Sequence, residues 1–133
     1  MNDLTEEWVV KAESDYRVAM REAQVTDQPS YDAVCFHAQQ CAEKYAKAFL
    51  QENNIEFERT HNMQYLLSLC MSAETNFDQY KPDFELLDDF SVDIRYPGDF
   101  ATDEDARAAI ESMKRVREFV RSKLGASEPQ TFS

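Results

Sequence analysis

Apolar residues recur at steps of three and four along most of this chain, the pattern of helices that each bury one face. From Thr5 to about Gln24 the apolar arc is Trp8, Ala12, Tyr16, Ala19 and Ala23, and the acid Asp15 projects onto its edge. Thr5 followed by Glu6 and Glu7 reads as the start, a capping hydroxyl with acids at the positive end of the helix dipole. A polar connector, Thr26 to Ser30 with Pro29 inside it, separates this helix from a second, spanning about Tyr31 to Glu52.

On a wheel of about 100° per residue, the second helix carries Val34, Ala38, Cys41, Ala42, Tyr45, Ala48 and Phe49 on its principal apolar arc. His37, Gln40, Lys44 and Lys47 form a polar stripe beside that arc, while Phe36 and Leu50 lie on the far side with Cys35 and Ala46 near them. A helix that is apolar on two sides needs cover on two sides, so it is either central in a bundle or part of a dimer interface.

Beyond a polar loop through Asn53, Asn54 and Arg59, Thr60 is placed to cap a third helix bearing Leu66, Leu67, Leu69 and Cys70 and ending near Ala73. Pro82 suits the first position of a fourth helix, with Phe84, Leu87 and Phe90, reaching about Asp93. Pro97-Gly98 is a break. Thr102-Asp103-Glu104-Asp105 then resembles a capping box with Asp in place of Glu, opening a last helix that Gly125 closes. Its buried arc is Ala106, Ile110, Met113, Val116, Val120 and Leu124, and Arg117 projects into it. These readings predict an all-α, up-and-down bundle of about five helices, four long ones forming the core, in one domain over 1–125 with a flexible tail over 126–133.

Composition agrees with helices and narrows the chemistry. Of 133 residues only 2 are Gly and 4 Pro, so tight turns are few. The formal charge of −12 opposes general nucleic-acid binding, which draws on positive fields. Cys35, Cys41 and Cys70 are odd in number and lack CxxC spacing, which points to buried thiols in a reducing compartment rather than disulfides or zinc. With no apolar run of spanning length and no basic leader after Met1, a cytoplasmic location without membrane contact is expected.

Several groups of residues invite chemistry, each beside a plainer structural role. Asp15 and Arg117, both at buried edges, predict an ion pair between first and last helices, because a buried unpaired charge costs about 3 to 5 kcal/mol. The stripe of His37, Gln40, Lys44 and Lys47 suits a phosphate or carboxylate of a partner, though Glu43 and Lys47 also make an ordinary i,i+4 pair worth about 0.2–0.5 kcal/mol. His61 at a helix start and Arg95 beside Tyr96-Pro97 are further candidate ligand groups. The two His are 24 positions apart with no HExxH, so no metal site is specified. No glycine-rich phosphate loop exists, since the two glycines are Gly98 and Gly125.

Four segments, in order, carry a family resemblance: Trp8-x3-Ala12-x2-Asp15-x3-Ala19, then Phe36-His37-Ala38-Gln39-Gln40-Cys41-Ala42-Glu43-Lys44-Tyr45-Ala46-Lys47-Ala48, then Arg59-Thr60-His61-Asn62-Met63-x2-Leu66-Leu67, then Arg95-Tyr96-Pro97. Together they resemble HEPN domains, and the second segment is the most specific. The resemblance implies a helical bundle that homodimerises, encoded beside a small nucleotidyltransferase in a two-component, often toxin–antitoxin, system, with nucleotide or RNA as ligand. It also implies, for many members, a metal-independent ribonuclease built on Arg-x4–6-His. That motif is missing here, since no His follows Arg95 or Arg107 and Arg59 precedes His61 by only two positions. The reading reached from the sequence is therefore a non-catalytic dimerisation and binding module, without cofactor or metal, whose ligand side is His37, Gln40, Lys44, Lys47, Arg59, His61, Arg95 and Tyr96. A ribonuclease with a displaced site and a purely structural subunit are the alternatives.

Overall fold

The computed structural model describes residues 1–91 and 96–125. Among them are five α-helices, α1 (Asp3–Ala23), α2 (Tyr31–Glu52), α3 (Met63–Ala73), α4 (Lys81–Asp88) and α5 (Asp103–Leu124), with a 3₁₀ helix, Thr75–Tyr80, between α3 and α4. No strand occurs among the described residues, and the chain is an all-α bundle. The expected tail over 126–133 lies outside the described residues.

The helix starts follow side-chain capping. Asn2, not Thr5, caps α1: its Oδ1 accepts from the Thr5 N–H at 2.8 Å and from the Thr5 hydroxyl at 2.9 Å. Thr5 is thereby drawn inside the first turn and buried. Asn62 displaces Thr60 as the cap of α3 in the same way, accepting from the Tyr65 N–H at 3.0 Å. At each end two residues with capping side chains stand within three positions of each other, and the asparagine amide is the one that meets the open N–H groups. At α5 the expected box forms in full, Thr102 Oγ1 accepting from the Asp105 N–H at 3.0 Å and Asp105 Oδ2 from the Thr102 N–H at 2.9 Å. Gly125 closes that helix with φ 70, a conformation in which a side chain would be strained.

The fourth helix is shorter than its sequence suggests. It begins at Lys81, so Pro82 is its second residue, and it ends at Asp88, leaving Phe90 buried just beyond it. The preceding 3₁₀ helix has no periodic signature and is held by packing. Its Phe77 is fully buried, with ring centres 4.8 Å from Phe49 and 4.9 Å from Phe119.

Of the two kinds of cover expected for α2, the chain supplies its own. α2 packs against α1, α3, α4 and α5, and from Ala38 to Leu50 every residue except Lys44 is buried. Small residues, Ala12 and Ala19 on α1 with Ala38, Ala42 and Ala46 on α2, are all fully buried and leave room for close helix approach. Consequently the polar side chains of α2 lie in seams between helices, where desolvation obliges them to find partners.

Replacing Thr102 by Ala should lower stability by about 1 kcal/mol, and Phe77→Ala by about 3–5 kcal/mol. Urea unfolding measures both, and an unchanged midpoint in Thr102→Ala would show that the capping box contributes nothing.

Candidate functional site

Two carboxylates organise the polar stripe of α2. Asp15 crosses from α1, where its Oδ1 lies 2.8 Å from His37 Nδ1 and its Oδ2 2.6 Å from Lys44 Nζ. His37 and Lys44 stand seven residues apart, two helical turns, and so share the face that Asp15 meets. Asp15 is buried while the two basic groups stay partly exposed, with side-chain exposures of 29% and 23%. The Phe36 ring stands edge-on to His37, centres 5.2 Å apart.

Glu43 is the second centre and is almost wholly buried. Its Oε1 accepts from Gln39 Nε2 at 2.9 Å, and its Oε2 from Lys47 Nζ at 2.8 Å. His61 brings Nδ1 to 3.0 and 3.1 Å of the two oxygens from the turn before α3. Gln40 joins through Gln39, donating to its Oε1 at 2.8 Å. Lys47 also donates to the Thr60 carbonyl at 2.8 Å and sits 5.3 Å from the centre of the Trp8 ring. Lys47 and Gln40, expected on a polar flank, are in fact buried links of this network. His61 in contrast keeps 65% of its side chain exposed.

The expected pair of Asp15 with Arg117 does not form. Arg117 instead clamps Glu13, its Nε at 2.7 Å and Nη2 at 3.0 Å, while stacking over Tyr16 with 4.1 Å from guanidinium carbon to ring centre. The reason lies in helix geometry: residues 13 and 15 are about 200° apart around α1, so Asp15 turns toward α2 and Glu13 toward α5. The Tyr45 hydroxyl donates to the same Glu13 oxygen, and Arg121 donates to Tyr45 at 3.1 Å. Burial alone would raise the Glu13 carboxyl, but hydrogen bonds from Arg117 and Tyr45 and the charges of Arg117 and Arg121 hold it below its ordinary value. Burial, then the bond to Glu13, pushes the Tyr45 hydroxyl upward. Burial likewise raises the Cys41 and Cys70 thiols, which leaves them unreactive as thiolates.

The remaining candidates stand apart. Arg59 is exposed beside His61 in sequence, and Tyr96 is 79% exposed. Arg95 lies outside the described residues. Sequence reading missed Glu43 as a centre and Glu13 altogether. Gln39 and Glu43, one turn apart in the most specific segment, were the available signal for the first; nothing local marks the second. Among the described residues no three His, Cys, Asp or Glu side chains are grouped to hold a metal ion, and no helix is long and apolar enough to cross a membrane.

A sequence model of the HEPN domain matches residues 5–123. The crystal structure of an archaeal HEPN homologue is 27% identical, superposes with a TM-score of 0.70, and is matched over 90% of this chain and 96% of that one. A crystal structure from Thermus thermophilus, 21% identical, shares the fold with a TM-score of 0.72 over 92% of this chain and 99% of its own. No curated protein matches the sequence.

The Glu13 cluster generates a signed pH dependence. A carboxyl whose folded-state value is depressed contributes stability that is present above its unfolded value, near about pH 4.3, and lost as pH falls through the folded one. Glu13→Gln should destabilise by about 3 kcal/mol at neutral pH and flatten the decline of stability on the acid side. Urea midpoints measured at neutral pH and in steps through the acid range test both; a variant with the parent's acid slope would contradict the assignment.

Proposed function

The chain belongs to the HEPN domain family, and on that premise we propose that it is a non-catalytic, dimerising binding module that takes up a nucleotide, a small nucleotidyltransferase partner, or both. Such a pair would work as a two-component, toxin–antitoxin-like system. The ligand side is His37, Lys44 and His61 at the surface, with Gln40 and Lys47 behind them and the exposed Arg59 and Tyr96 as further candidates; Arg95, the remaining candidate, lies outside the described residues.

One observation carries the reading. Asp15 and Glu43 each hold one histidine by Nδ1 and one lysine by Nζ, so both imidazoles are fixed in orientation before any ligand arrives. Fixed donors lose little freedom on binding, and that saving adds to affinity. Lys44 offsets Asp15 and Lys47 offsets Glu43, so recognition rests on directional hydrogen bonds rather than on a strong positive field. That suits a chain of net charge −12. Arg59, two positions before His61 in the chain, adds an exposed guanidinium whose fork geometry matches a phosphate.

A second reading is favoured by the same Glu43–His61 pair. A buried carboxylate holding an exposed imidazole is the arrangement of a general base, and in a metal-independent ribonuclease it would take the proton of a 2′-hydroxyl while an arginine steadies the phosphorane charge.

Calorimetric titration with ATP should give saturable heat, weakened about tenfold in Lys44→Ala and in Arg59→Ala. No heat with ATP, together with unimpaired capture of a co-expressed nucleotidyltransferase by the double variant Lys44→Ala/Arg59→Ala, would reject the assignment. Cleavage of RNA in EDTA that disappears in His61→Ala would transfer the conclusion to the second reading.

A further inference from the structure

The turn after α2 builds a depression that the α2 stripe does not use. Asn54 takes the left-handed conformation, φ 55, and the Ile55 N–H closes onto the Leu50 carbonyl at 2.9 Å. This reverses the chain and sets Ile55 and Phe57 against the core, with the Phe57 ring 6.3 Å from that of Trp8. Tyr65 rises from α3 and accepts the Glu58 N–H at 3.0 Å. Between these groups lies an open depression of about 710 Å³, walled by Ile55, Phe57 and Tyr65 and rimmed by Gln51, Glu56 and Glu58.

Its charge is uncompensated. No cation among the described residues pairs with Glu56 or Glu58, and Arg59, next in the chain, does not line the depression. The same aromatic group already holds one ammonium on its inner side, since Lys47 Nζ lies over the Trp8 ring that Phe57 touches.

We infer that this depression is a docking site for a guanidinium or ammonium side chain carried on an exposed segment of a basic protein partner. A guanidinium or ammonium can lie against the Phe57 and Tyr65 rings that line the depression while donating to the Glu56 and Glu58 carboxylates. The net charge of −12 draws a basic partner toward the chain, and two unpaired carboxylates turn away the anionic ligand suited to the α2 stripe. The site is therefore separate from the one proposed above and does not depend on it.

The test is an NMR titration of the ¹⁵N-labelled full chain with the peptide acetyl-Gly-Arg-Arg-Gly-amide. Saturable shifts should concentrate at residues 54–58 and at Tyr65. Glu56→Gln/Glu58→Gln should weaken binding about tenfold, whereas the charge-matched Glu111→Gln/Glu118→Gln on α5 should change it by less than about twofold. Phe57→Leu, which keeps every charge, should weaken it by about threefold, with folding checked by its amide spectrum. Shifts spread over the acidic surface, or equal losses in the two glutamine pairs, would reduce the effect to diffuse electrostatics and overturn the proposal.

Discussion

Asp15, Glu43, Glu13 and Asp83 are carboxylates withdrawn from water into the seams of this bundle, and the arrangement of the helices depends on how each is paired. A buried carboxylate without partners would cost several kcal/mol, about 3 to 5. Each here is met by donors from another element: Asp15 by α2, Glu43 by the turn before α3, Glu13 by α2 and α5, and Asp83 by Ser112 and Arg115 of α5. Apolar packing drives the helices together, but it is tolerant of rotation and sliding. The pairings are directional, and they set which face of α1 meets α2 and which meets α5.

That constraint explains why the central helix can also carry a site. α2 is buried along most of its length, so its polar residues are not a solvated flank but a network. Only where the network reaches the surface, at His37, Lys44 and His61, are groups left for a ligand, and those groups are already oriented by what lies beneath them. The 53–58 turn works by the opposite principle. Among the described residues no cation pairs with its carboxylates, which stand beside aromatic walls, so it offers charge outward rather than spending it on the fold.

How much of this the sequence carries depends on whether a signal is local. The capping box at Thr102 and Asp105 and the glycine end at Gly125 are short-range features, legible residue by residue. At α1 and α3 two capping side chains stand close together, and the choice of Asn2 over Thr5 and of Asn62 over Thr60 belongs to backbone geometry that composition does not reveal. The 3₁₀ helix has no period to read because the burial of Phe77 between Phe49 and Phe119 holds it. For the site, wheel position brings out His37, Gln40, Lys44 and Lys47 and marks Asp15 as an acid in need of a partner. It cannot say which cation crosses the seam. Residues 13 and 15 are near neighbours in sequence and near opposites around the helix, so assigning Arg117 to the wrong one is the expected failure of a one-helix argument.

The central claim is that buried carboxylates fix the two histidines by Nδ1 and present Nε2 outward. Long-range ¹⁵N–¹H spectra of the imidazole nitrogens read this directly, because they distinguish the two neutral tautomers. The account predicts that His37 and His61, when neutral, both carry their proton on Nδ1, and that His37 loses this preference in Asp15→Asn and His61 in Glu43→Gln. Neutral rings protonated mainly on Nε2 in the parent protein, as in an imidazole with no carboxylate beside Nδ1, would contradict it.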